Sequence, residues 1–103
     1  MQIIAKLAEL ISEELEDAER YADLACKTRA EHPKLANTFI DLAEQELGHS
    51  RMLHAEAARL IEEVKERDGE PPAGMLAVYE YEHGKLIKHA ATIRQQIAEY
   101  KDT

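Results

Sequence analysis

The chain has 103 residues, a net charge of −8 from 21 acidic against 13 basic side chains, 33% charged residues and only 5% aromatics. That length fits one domain over residues 1–103 with a thin core, for which self-association is the natural remedy. The acidic balance argues against a nucleic-acid partner, which needs a basic face, and suits the attraction of cations.

Ala, Glu and Leu dominate and Trp is absent, which favours helix over sheet. Cys26 is the single cysteine, so the chain has no internal disulfide framework, no dithiol redox motif and no thiolate zinc cluster. Met1 to Lys6 lacks the basic n-region and apolar h-region of a signal peptide. No apolar run approaches membrane-spanning length, so the expectation is a soluble cytoplasmic protein without a membrane partner.

The first helix is predicted from about Ile3 to Ala30, on the apolar period Ile4, Leu7, Ile11, Ala18, Tyr21, Ala25. At about 100° per residue, Glu14 falls near the centre of this face, Glu9 and Glu16 fall on the opposite side, and Asp17 on its edge. Glu31-His32-Pro33 breaks the pattern. Pro33 biases His32 away from helix and suits the first turn of the next one.

The second helix is predicted from Pro33 or Lys34 to about Arg67, with the stripe Leu35, Phe39, Leu42, Ala43, Glu46, Ser50, Leu53, Ala57, Leu60, Val64. Glu46 is an anomaly, a carboxylate on the line of packing residues. Two long helices joined by a short break imply an antiparallel hairpin over about 3–67. Residues 68–74, Asp68 to Gly74, form the one clear linker, with Gly69 as a C-cap and Pro71 and Pro72 preventing continuation. A third helix is predicted over about 75–101. Its seam of Leu76, Tyr79, His83, Leu86, Ala90, Ile93, Ile97 and Tyr100 alternates spacings of three and four. The fold class is therefore all-α, a hairpin plus a third amphipathic helix.

Glu14 lies 18 residues before His32 and Glu46 lies 14 after it, so an antiparallel hairpin brings them level to within about one turn. Two carboxylates facing one another on apolar faces would repel and desolvate without a cation. His49 adds a nitrogen donor one turn from Glu46. Oxygen and imidazole ligands in a helical core suit iron, manganese or zinc, and the lack of thiolates leaves iron or manganese. Glu14 with Glu46-x-x-His49 is half of a two-metal carboxylate site, which takes two of each. A two-fold dimer of hairpins supplies the whole, with Glu14 and His49 on each metal and the two Glu46 side chains bridging.

Glu13-Glu14-Leu15-Glu16, with Tyr21 seven residues after Glu14 and then Glu46-x-x-His49, resembles the ferritin-like superfamily, and within it the encapsulated ferritins. The resemblance covers roughly Ile4 to Val64. It implies a four-helix bundle completed by dimerisation and a di-iron ferroxidase that oxidises Fe(II) to Fe(III) with dioxygen for iron storage or detoxification. It makes Glu14, Glu46 and His49 the iron ligands, Tyr21 the tyrosine beside the centre, and Glu13 and Glu16 acidic residues near the metal route. It also implies rings of dimers and an encapsulin shell as partner, although Ile97 to Thr103 carries no evident shell-targeting extension. Two other readings use the same residues. One is a rubrerythrin-like peroxidase or manganese protein. The other is a non-catalytic helical oligomerisation protein whose inward polar groups set register.

The third helix holds a second Glu-x-x-His, Glu80 to His83, with Glu82 at the seam margin. His83 is read as a core histidine with a polar partner, against the alternative that Glu82 and His83 supply extra metal ligands. His54, at the edge of the second stripe, is read as a surface histidine, against a role in supporting the metal or its route. Cys26 is read as a small packing residue. His32 and His89 are placed in the loop and at a helix edge.

Overall fold

A computed structural model describes residues 2–103 as three helices, α1 (Gln2–Thr28), α2 (Pro33–Asp68) and α3 (Ala73–Lys101), with no strand among the described residues. The molecule measures 56 × 19 × 18 Å. At about 1.5 Å per residue, α2 alone accounts for that long axis.

Local chemistry sets the helix ends. His32 takes an extended backbone, φ −135° and ψ 69°, and Pro33 opens α2 at its first turn. The His32 N–H donates to the Thr28 carbonyl at 2.7 Å, and the Ala36 N–H to the His32 carbonyl at 2.9 Å, so the tight α1–α2 turn leaves few backbone groups unpaired. Gly69, the one described residue with positive φ (83°), caps α2 by donating its N–H to the Lys65 carbonyl. Pro72 then precedes α3.

The α1–α2 hairpin carries most of the core, and α3 lies mainly against α1. Near the turn the interface is built from Ala18, Ala22, Ala25, Ala36 and Ala43, all fully buried. Small side chains let the two axes approach closely there. Ile40 is buried among these alanines, and Ile4, Leu7, Ile11, Leu15 and Leu47 continue the core away from the turn. Only the last three turns of α3 bury side chains: Ile93, Ile97 and Tyr100. Polar contacts fix that end. The Arg29 Nη1 donates to the Tyr100 carbonyl at 2.6 Å, its guanidinium lies 4.2 Å from the Tyr100 ring centroid, and the Tyr100 hydroxyl donates to Asn37 Oδ1 at 2.8 Å.

The observed α2 core differs from the expected stripe. Ala36, Ile40, Ala43, Leu47 and Ser50 are buried, whereas Leu35 is 45% exposed and Phe39, Leu42, Leu53 and Leu60 are half-buried. The buried line is rotated from the expected one by about one residue, roughly 100°. The helix carries two apolar stripes. Ala43 and Ser50 of the expected stripe lie in the covered core, and its remaining members border open solvent.

Three smaller expectations also change. Glu14, expected near the centre of the α1 face, stands at its flank, because Leu15, Ala18 and Ala22 occupy the centre. Cys26 is exposed rather than packed. His83 is exposed rather than in the core, because the N-terminal part of α3 buries no side chain fully.

Candidate metal centre

Glu14 on α1 and Glu46 and His49 on α2 offer ligand atoms that all lie within 4.8 Å of one another, the one such group of three among the described residues. His49 Nδ1 is 3.4 Å from Glu14 Oε2 and 3.7 Å from Glu46 Oε1. The spacing of three residues puts Glu46 and His49 on adjacent turns of one helix face. The packing of α1 on α2 brings Glu14 across to them. Side-chain exposure is 27% for Glu14, 20% for Glu46 and 53% for His49.

The electrostatics of the three side chains suit a cation. The Glu46 carboxyl is pushed up from 4.5 to about 7, chiefly because it shares a hydrogen bond with Glu14. Burial and the Glu14 charge add to the shift, Asp17 contributes slightly, and His49 opposes it. Two carboxylates cannot hydrogen-bond unless one holds a proton, so near neutral pH the pair retains one. Glu14 Oε2 is buried and has no hydrogen-bond partner. An orphaned buried carboxylate oxygen, a carboxyl that keeps its proton and an imidazole nitrogen within reach of both form a donor set that fits a divalent iron or manganese ion.

The cluster and α3 lie on opposite flanks of the hairpin. On α1, Glu19 accepts from His89 at 2.6 Å and Asp23 accepts from Gln96 at 2.6 Å, so that flank faces α3. Glu14 is five residues from Glu19, about 140° around the helix. On α2, Asn37 and Glu44 meet Tyr100 and Lys101, and Glu46 lies nine and two residues from them, in both cases about 160–180° around. The side bearing the cluster is uncovered within the chain. It also carries half-buried Leu10, Tyr21, Phe39 and Leu53.

Tyr21 shares the flank of Glu14, about 10 Å along α1 toward the turn. Its ring stacks on Phe39 with centroids 6.1 Å apart. Glu13 and Glu16 are both exposed and fall outside the group of three. His54 and His83 also fall outside it. They meet each other across the α2–α3 side, with His54 Nε2 3.0 Å from His83 Nδ1 and stacked rings. Burial and the neighbouring His83 hold His54 below its ordinary value. Glu82 pairs with Lys85 at 3.7 Å. The His54–His83 contact and the Glu19–His89 bond were invisible to local spacing. The only signal for either was that His83 and Ala90 share the α3 seam, with His89 beside it.

Among the described residues no helix is long and apolar enough to cross a membrane. No curated protein and no solved structure matches the chain. A family model for rubrerythrin matches residues 6–101, spanning all three helices and the cluster. The helical fold, the Glu–Glu–His geometry and that match agree, and the chain belongs to the rubrerythrin family of ferritin-like, iron-binding helical proteins.

Proposed function

We propose that the chain is a ferroxidase whose two-metal centre is assembled between two copies, in the manner of the encapsulated ferritins. The carrying observation is the placement of Glu14, Glu46 and His49 together on the uncovered flank of the hairpin. A single hairpin supplies half of the ligands that a two-metal carboxylate centre uses. The flank around them is apolar enough to pack against a second copy related by a two-fold axis near Glu46.

In this reading Glu14, Glu46 and His49 bind Fe(II), the substrate, which gives up one electron per ion to dioxygen. The chain's own contribution is electrostatic. Fe(II) displaces the proton shared by Glu14 and Glu46, and the two carboxylates then favour the greater charge of Fe(III) over that of Fe(II). His49 supplies a neutral donor and leaves the net charge of the pocket unchanged. In this reading Tyr21, about 10 Å along the same flank, serves as an electron donor to the centre.

The test is Fe(II) oxidation in air, followed by the ferric absorbance. The expected result is acceleration over buffer that is abolished by Glu46→Ala. An unchanged rate on that substitution refutes the reading. The family match favours one second reading, in which peroxide is the oxidant on the same ligands. Turnover driven by peroxide in the absence of dioxygen, compared with turnover driven by dioxygen, separates the two.

A further inference from the structure

We propose that His54 and His83 form a second metal site, a two-imidazole clamp that holds a divalent transition ion and ties α3 to α2. The two histidines come from different helices, and their nitrogens, Nε2 of His54 and Nδ1 of His83, stand 3.0 Å apart. The rings lie nearly parallel, with centroids 4.6 Å apart and planes at 25°. Among the described residues each ring has only the other as a hydrogen-bond partner. A neutral pair of this kind uses one proton between two nitrogens, and an ion bound by both lone pairs replaces that single bond with two.

The separation also lets one ion reach both nitrogens. With metal–nitrogen bonds of about 2.05 Å, nitrogens 3.0 Å apart subtend about 94° at a shared ion. That is close to the cis angle of octahedral or square-planar coordination and well below the tetrahedral angle. Imidazole nitrogens suit nickel, copper, iron and zinc, and Ni(II) serves as the probe. The pair lies beside a cavity of about 140 Å³ lined by Tyr79, Glu82 and Leu86 among others. His83 is exposed, which leaves the remaining coordination positions to water.

The location gives the site a consequence for the fold. From Ala73 to Thr92, α3 buries no side chain fully. A metal bridge at His83 would fasten this otherwise lightly held part of α3. It would do so on the α3 side of the hairpin, apart from Glu14, Glu46 and His49.

The experiment uses the full chain carrying Glu46→Gln, which weakens the carboxylate centre, and titrates it with Ni(II) by calorimetry. The same titration on chains that also carry His83→Gln or His54→Gln measures the clamp. The expected result is loss of one Ni(II) equivalent per chain, or at least about a tenfold weaker affinity, in either histidine variant. Ni(II) should also slow tryptic cleavage at exposed Lys85 in the Glu46→Gln chain and not in the histidine variants. Helical circular dichroism checks that the variants fold. A change in affinity smaller than about threefold, with cleavage at Lys85 indifferent to Ni(II), overturns the proposal. Neither outcome depends on ferroxidase activity.

Discussion

Replacing Glu46 by glutamine should stabilise the metal-free chain, and only above a defined pH. The folded Glu46 carboxyl titrates near about 7, against an ordinary 4.5. This is the reverse of the usual carboxylate case, because the folded state holds the proton more tightly than the unfolded state does. The associated stability is fully present below about pH 4.5 and is lost as pH rises through about 7. A shift from 4.5 to about 7 sets a ceiling of about 3 kcal/mol. The flank is open to water, with Glu46 20% and Glu14 27% exposed, so screening reduces the cost to about 1–2 kcal/mol. Glu46→Gln keeps the shape and a hydrogen-bond donor while removing the second charge. With excess chelator at about pH 8.5, it should raise the midpoint by about 6–12 °C. At about pH 4 the two proteins should melt together, because wild-type Glu46 is then protonated. Thermal unfolding followed by circular dichroism at both pH values provides the assay. Destabilisation at the higher pH, or an equal gain at both, would refute the reasoning that two facing carboxylates are in conflict without a cation.

The remaining expectations concern the metal and the packing. Divalent metal affinity should fall by up to about tenfold per pH unit below about 7, as Fe(II) or Mn(II) competes with the proton on Glu46; a flat profile in a competition titration from about pH 5 to 8 would contradict this. Ile93→Ala, at the fully buried centre of the α1–α3 contact, should cost about 2–5 kcal/mol in denaturant unfolding. Tyr100→Phe removes the bond to Asn37 and should cost about 1 kcal/mol while leaving iron oxidation unchanged, since that contact lies on the flank opposite the metal ligands. Ala22→Leu, where the helices approach on small side chains, should destabilise by about 1–3 kcal/mol and slow iron oxidation by separating Glu14 from Glu46.

Much of the architecture was legible from punctuation in the chain. Pro33, Gly69 and the two linker prolines act through backbone geometry, so the helix bounds fall within a few residues of those expected. The level placement of Glu14 and Glu46 was also legible, because it needs only a helical rise and a short turn. Rotation about the helix axis was not. On α2, Leu35, Phe39, Leu42 and Leu53 compete with Ala36, Ile40 and Leu47 for the core, and periodicity cannot tell which stripe the hairpin covers. Ala18, Ala22 and Ala25 on α1 and Ala36 and Ala43 on α2 are all fully buried in one cluster, so small side chains hold much of the covered face. Of the stripe read from the sequence, Ala43 and Ser50 reach the core, and Phe39, Leu42 and Leu53 are left half-buried on the side of Glu46. The Glu19–His89 and His54–His83 contacts depend on where α3 lies, which no local pattern encodes.

Native mass spectrometry with and without metal tests the shared centre most directly. Anaerobic loading with Fe(II) should convert a mainly monomeric, chelator-treated chain into a dimer or a multiple of it that holds about one ferroxidase ion per chain, and Glu46→Ala should abolish both the metal and the association. A chain that keeps the same oligomeric state in chelator and in Fe(II), or a loaded monomer that binds its ion alone, would contradict it.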